Sequence, residues 1–240
     1  MQHRMKQYEQ VLEVMLKNGG YATLGFLNQN VDVSKWQSKT PFASIRRIVQ
    51  DERYFFKIKP GLWALNEFKT EILKKFDIEK SVEKNTEFNH TYFQGLLLEI
   101  GNLKGFNTYI PPQDKNKLFL NKPLIEVSSI ESIFEFSYSE IVNRAKTVDV
   151  IWFNDRKLPN SFFEVEHSTD IQNSLLKFND LYDFYSQFYI VSAVERKREF
   201  ENKISYSAFK DIKERVKFID YEFLSNLHTK SFELASIGTL

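Results

Sequence analysis

Cysteine is absent from the 240-residue chain. That excludes structural disulfides, cysteine-based zinc sites and thiol nucleophiles. Histidine is scarce. His3, His90, His167 and His228 lie far apart, with no H-x-x-x-H pair, so a zinc enzyme is not expected. No apolar run approaches the ~20 residues of a membrane span. The opening MQHRMKQYEQ leads into a helix and lacks the apolar core of a secretion signal, so a cytoplasmic protein is expected. Internal repeats and low-complexity tracts are lacking too.

What is present suits a globular protein. Hydrophobic residues make up 42% and charged residues 27%, and 23 phenylalanines supply core volume. The length fits one large or two small domains. The net charge of +1 hides a division: the first 80 residues are basic and the remainder acidic.

Chemistry concentrates between Val148 and Leu176. VDVIWFN is followed by a polar turn and then by SFFEVEHSTDIQNSLL, which reads as strand, hairpin turn, strand, helix. Asp149 alternates with Val148, Val150 and Trp152, and Glu164 and Glu166 alternate with Phe163 and Val165. A strand has period two, so Glu164 and Glu166 share a face. The turn formers in Asn154 to Asn160 let the strands pair antiparallel and bring Asp149 beside the two glutamates. Three converging carboxylates repel one another, and a hard divalent cation such as Mg²⁺ answers that repulsion. Such an ion can activate water and stabilise an in-line phosphoryl displacement. The alternative is a solvated acidic strand face, which the apolar flanks VIWF and SFF oppose.

These residues resemble the PD-(D/E)xK nuclease superfamily, to which many restriction endonucleases belong. Asp149 matches the first acid and Glu164 the second, while Glu166 stands where the pattern has lysine. DVIWF with FEVEHSTDIQNSLLKFNDL is also similar to a bacterial endonuclease-like group whose strand ends in E-V-E-H-[ST]-T. The resemblance implies a restriction-system DNA endonuclease. Asp149 and Glu164 would bind Mg²⁺, with Mn²⁺ able to substitute, and Glu166 would bind a second metal or position the attacking water. Double-stranded DNA is the implied partner, and cutting both strands implies a homodimer. The missing lysine keeps a rival open, a DNA-binding regulator whose second domain has the nuclease shape without catalysis.

The basic first part reads as three helices and a hairpin. Met5 to Lys17 is amphipathic and ends at Asn18-Gly19-Gly20. Tyr21 to Gln29 is expected as a second short helix. Thr40-Pro41 starts a third that runs to about Asp51. Tyr54 to Lys59, Pro60-Gly61 and Leu62 to Leu65 form a hairpin or wing. This is the pattern of a winged helix-turn-helix. TPFASIRRIVQDERYFFKIKPGLWALNEF resembles the HARE-type helix-turn-helix domain. In such a fold Arg46 and Arg47 become base or phosphate contacts and Lys57 and Lys59 phosphate contacts. An ordinary solvated charged face is the alternative.

The expected organisation is a winged helix-turn-helix over 1–75, a linker at 76–86, a nuclease-like domain over 87–225 and a loosely held tail at 226–240. The second domain opens with a helix from Asn89 to Leu103, on which Glu99 shares a stripe with Tyr92, Leu96 and Leu103. Glu99 is a candidate fourth acid, or a carboxylate at the stripe's edge reaching solvent. Gly105 to Pro111 reads as the first core strand, and Ser128 to Ile133 and Ser139 to Ala145 as short helices. After His167, read as a structural histidine, a helix runs to about Tyr185. Its Lys177 reads as a surface lysine in preference to a stand-in for the missing motif lysine. Phe188 to Val194 and Val216 to Tyr221 are the last strands. The expected class is α/β, with a restriction endonuclease-like αβββαβ core.

Overall fold

A computed structural model describes residues 5–76, 78 and 82–237, with side chains over 86–236 in the last segment. Of the expected linker at 76–86, residues 77 and 79–81 lie outside the described ones, and 82–86 form the first turn of a helix. The chain divides into two compact units, Met1–Asn85 with Ser225–Leu240, and Thr86–Leu224.

The first unit contains α1 (Gln7–Lys17), β1 (Tyr21–Thr23), α2 (Leu24–Asn30), α3 (Pro41–Ile48), β2 (Phe55–Lys59), β3 (Leu62–Leu65) and α4 (Lys69–Lys75). Tyr21 to Thr23 was expected to be helical. It is a strand because its backbone pairs antiparallel with Leu62 to Ala64, giving the sheet order β1-β3-β2. The helix follows at Leu24, with the Thr23 hydroxyl accepting from the Phe26 N–H at 3.1 Å as its N-cap. Val11, Met15, Leu27, Ile45, Val49 and Phe55 make the core under these helices and the hairpin.

The second unit is built on α5 (Val82–Leu103), β4 (Asn107–Tyr109), β5 (Leu118–Phe119), β6 (Lys122–Pro123), α6 (Leu124–Val127), α7 (Ser139–Ala145), β7 (Val150–Phe153), β8 (Pro159–Glu166), α8 (Ile171–Asn179), β9 (Gln187–Ser192), α9 (Lys197–Ile204), β10 (Val216–Asp220) and α10 (Tyr221–Ile237), the last of which runs on into the first unit. The main sheet has the order β10-β9-β8-β7-β4. β4, β7 and β8 meander antiparallel, while β8, β9 and β10 run parallel. Helix, strand, strand, strand, helix, strand thus occurs as α5, β4, β7, β8, α8 and β9. No described helix is long and apolar enough to cross a membrane.

Strand alternation sorts the two sheet faces. Ile151, Phe153, Phe162, Phe188 and Ile190 pack with Ile171, Leu175 and Phe178 of α8. On the other face Phe163 stacks on Tyr189 and meets Trp152 at a tilt, and Trp152 Nε1 donates to the Leu97 carbonyl of α5 at 3.1 Å. Gly101 permits that approach, since a Cβ there would lie 2.5 Å from Thr108 and 2.6 Å from Trp152 Nε1.

Several local expectations are corrected. Ser128 to Ile133 is not helical. Ser129 and Ile130 bond Thr108, closing off the free edge of β4. The helix after His167 stops at Asn179, well before Tyr185, and in the turn that follows the Arg215 guanidinium donates to the carbonyls of Tyr182 and Phe184. The expected loose tail is the second half of α10, apart from its last three residues, which lie outside the described ones. Its Phe232 is only 8% exposed and sits where Gly25 leaves room, a Cβ at Gly25 meeting that ring at 2.7 Å.

If α10 is part of the first unit's core, Phe232→Ala should lower unfolding free energy by about 3 kcal/mol. Urea denaturation monitored by circular dichroism measures this. A change within about 0.5 kcal/mol, as for an ordinary surface site, would return residues 226–240 to the status of a tail.

Candidate active site

The β7–β8 hairpin sets the site. Asn154 folds the turn: its side-chain oxygen accepts from the N–H groups of Arg156 and Leu158, both at 3.0 Å. The register pairs Val150 with Phe163, so Asp149, one residue ahead of β7, faces the Glu164 end of β8. The strand itself begins at Val150, not Val148. Asp149 Oδ2 accepts from the Val165 N–H at 2.7 Å, which locks its position against the strand. Glu164 and Glu166 share the parity of Phe162 and point to the α8 side, as the period-two pattern requires.

Glu164 is 2% exposed, so its charge needs a partner inside the fold. Lys177 supplies it. Nζ lies 2.8 and 2.9 Å from the two Glu164 oxygens and donates also to the Thr147 carbonyl at 2.9 Å. Lys177 was expected at the surface; its side chain is 22% exposed and belongs to the site. The reason is helical spacing. Asp170 caps α8 by accepting from the Gln172 N–H, and Ser174 and Lys177, three residues apart, then share the face that looks onto the glutamates. Burial and the neighbouring Asp149 charge push the Glu164 pKa up, and Lys177 only partly opposes them. Burial alone would push Lys177 down, but Glu164 and Asp149 hold it above its ordinary value.

Glu166 is held differently. One oxygen accepts from the Ser174 hydroxyl and the other from the Thr169 hydroxyl. Burial raises its pKa against the pull of Ser174. Ser174 also donates to Glu164 at 3.0 Å, so one hydroxyl joins the two glutamates. Arg196, whose Nη2 donates to the Thr169 carbonyl at 2.6 Å, lends positive charge on this side.

Two members of the site were not found from the sequence. His90 of α5 has Nε2 3.5 Å from Asp149 Oδ1 and 3.8 Å from Asp114 Oδ2. Burial lowers the His90 pKa, but the charges and hydrogen bonds of Asp149 and Asp114 overcome this and lift it to about 10. Asp114 lies in a stretch that reads as a polar loop, yet it is buried and pairs with Lys117 at 2.8 Å. The available signal was His90 and Gln94 one turn apart on an otherwise apolar helix face, since Gln94 bonds both Asp114 and the Asp149 carbonyl.

The structure brings Asp149, Glu164 and Glu166 together but not Glu99. Glu99 lies nine residues after His90, about two and a half turns, which sets it on the opposite side of α5. There its charge adds to the burial that raises the Tyr92 phenol. His167 bonds Asn89 and Tyr221. In the first unit, Arg46 donates to Asn226 at 3.2 Å, Arg47 and Lys57 are exposed, and Lys59 is half-buried, its pKa lowered by burial.

A family model described as the Type II restriction enzyme NmeDI C-terminal domain matches residues 72–238, which include every residue of this site. The Type II restriction enzyme NmeDI of Neisseria meningitidis serogroup C is 29% identical over 107 residues. That match covers 42% of this chain and 30% of the relative, so the chain spans less than a third of the curated relative's length. No solved structure matches the chain.

The Lys177–Glu164 pair is testable without any substrate. Lys177→Met leaves a buried carboxylate unanswered and should cost about 3 kcal/mol of stability. Adding Glu164→Gln should recover much of it. A double-mutant cycle by urea unfolding should give a coupling energy of about 1–3 kcal/mol; a value near zero would make Lys177 an ordinary surface lysine.

Proposed function

The chain belongs to the family of the Type II restriction enzyme NmeDI C-terminal domain, and on that premise we propose that it is a metal-dependent endonuclease of a restriction system, hydrolysing phosphodiester bonds of double-stranded DNA. The observation that carries this reading is Lys177 Nζ within 2.8 Å of Glu164 in the carboxylate cluster. Asp149, Glu164 and Lys177 supply the acid, acid and lysine of a PD-(D/E)xK site although position 166 is glutamate. The element order α5, β4, β7, β8, α8, β9 agrees with the αβββαβ core of that superfamily.

The donor set suits a divalent cation. Glu164 is buried beside Asp149, and burial first, with the Asp149 charge adding to it, raises its pKa more than Lys177 lowers it. Asp149 and Glu164 would hold Mg²⁺, or Mn²⁺ in its place. When bound, the ion supplies Lewis-acid stabilisation of the phosphate and a more acidic water. Lys177 keeps a positive charge fixed at the site, where charge develops on the phosphoryl oxygens. Glu166, with both oxygens taken by hydroxyls, acts as a positioning residue that fixes Ser174 and through it Glu164. Val165 fixes Asp149 through its N–H.

The first unit, in which α1, α2 and α3 precede the β2–β3 hairpin, fits a winged helix-turn-helix of HARE type that helps select DNA. Arg47 on α3 and Lys57 on the wing are exposed and suited to phosphate contacts. Arg46 is tied to Asn226 and contributes less, and Lys59 is half-buried. Cleavage of both strands calls for two sites and so for a homodimer.

Plasmid DNA that is unmodified, methylated or hydroxymethylated, incubated with Mg²⁺ or Mn²⁺, should give discrete fragments from at least one substrate. Asp149→Ala and Glu164→Ala should each reduce the rate by about a hundredfold or more, a typical scale for losing metal-assisted charge stabilisation. No cutting by folded protein that still binds DNA would leave a non-catalytic DNA-binding regulator as the reading. For the first unit, Arg47→Ala and Lys57→Ala should each weaken DNA binding across sequences and lower the salt slope by about one. Fluorescence anisotropy over a salt series measures it, and unchanged slopes in both would remove the winged-helix contact.

A further inference from the structure

His90, Asp114 and Gln94 are not needed by the acid–acid–lysine set, yet they are built into a polar cluster beside it. The relevant atoms of His90, Asp114 and Asp149 lie within 4.8 Å of one another. An ion with ligands at ~2.1 Å in octahedral geometry sets neighbouring ligand atoms about 3 Å apart and opposite ones about 4.2 Å apart. The His90 separations of 3.5 and 3.8 Å fall in that range.

The orientation of each donor is fixed from behind. His90 Nδ1 lies 3.0 Å from the Val165 carbonyl, which can only accept, so Nδ1 carries a proton. Nε2 faces the two aspartates, and an ion binding there would displace the Nε2 proton and take its lone pair. Metal-binding histidines are commonly oriented this way, through a backbone carbonyl on the other nitrogen. Asp114 Oδ2 is held by Gln94 Nε2 at 2.8 Å, and Oδ1 is paired with Lys117. Asp149 is held by the Val165 N–H. A separate observation concerns Gln94. It is 0% exposed, and its side-chain oxygen is buried without a hydrogen-bond partner, although the same amide touches Asp114. An ion or an ion-bound water beside the cluster would satisfy that oxygen.

We propose that His90, Asp114 and Asp149 form a second cation site that shares Asp149 with the Asp149–Glu164 pair and prefers Mn²⁺ to Mg²⁺. It rests on the nuclease reading only through the shared aspartate. The preference follows from the donor types. Mg²⁺ takes oxygen ligands and keeps its waters, whereas an imidazole nitrogen favours transition metals, and two carboxylates suit Mn²⁺ among them.

The test uses the full chain without DNA. With excess Mn²⁺, pulsed EPR of the wild type should show ¹⁴N modulation from a coordinated imidazole. His90→Ala should abolish it and Glu164→Gln should retain it. By calorimetry, His90→Ala and Asp114→Asn should each weaken one Mn²⁺ site by about tenfold or more while Mg²⁺ affinity changes by less than about threefold. Absence of ¹⁴N modulation in the wild type would overturn the proposal even if a variant failed to fold. So would Mn²⁺ affinities unchanged in both variants. Binding through His90 without cleavage of any DNA would sink the nuclease reading alone. Cleavage in Mg²⁺ with no nitrogen ligand would sink this site alone.

Discussion

A carboxylate buried at the end of a central strand is the constraint on which the second unit depends. Glu164 is almost wholly withdrawn from solvent, and its strand neighbours Phe163 and Val165 offer its charge no relief. Its charge is answered from another element, which makes the β8–α8 connection more than a link between strands. The Asp170 cap fixes where α8 starts, and the start fixes which residues look back at the sheet. Ser174 and Lys177 reach the glutamates, while Ile171, Leu175 and Phe178 fill the core on the same side of the sheet. The helix thus serves packing and electrostatics with residues interleaved along a few turns.

The sequence made local periodicity visible and left cross-chain partnerships hidden. Alternation along SFFEVEH was enough to put Glu164 and Glu166 on one face, and the turn at Asn154 was enough to bring Asp149 alongside. Lys177 escaped because its partner is thirteen residues away across a strand-to-helix turn, where small changes in helix start rotate it out of view. His90 and Asp114 escaped for a stronger reason. They come from a helix and a loop well before the hairpin, and only the packing of α5 against the sheet unites them with Asp149. Glu99 failed in the opposite way: an acid on an apolar stripe looked purposeful, but the stripe faces away from His90.

The first unit repeats the lesson in its backbone. Tyr21 to Thr23 is a strand solely because β3 lies beside it, and pairing across forty residues leaves no local mark. The last segment misled for lack of a partner in view. Phe232 and His228 gain a role only once Gly25 is seen to make space for them. Arg46 was read as a nucleic-acid contact from its place on α3, and the same helix, α10, gives it a protein partner in Asn226.

Val165 ties two of these partnerships together without using its side chain. Its N–H holds Asp149 and its carbonyl holds the His90 ring, so the backbone of one residue fixes groups from two distant segments. Any residue other than proline offers the same N–H and carbonyl. What the arrangement cannot absorb is a change in spacing: one residue inserted or deleted between Asp149 and Val165 would swap the faces of β8 and present phenylalanine and valine where the glutamates stand. Descendants of this chain can vary position 165 among apolar residues that fit its buried place, while the number of residues in the hairpin is the inherited quantity.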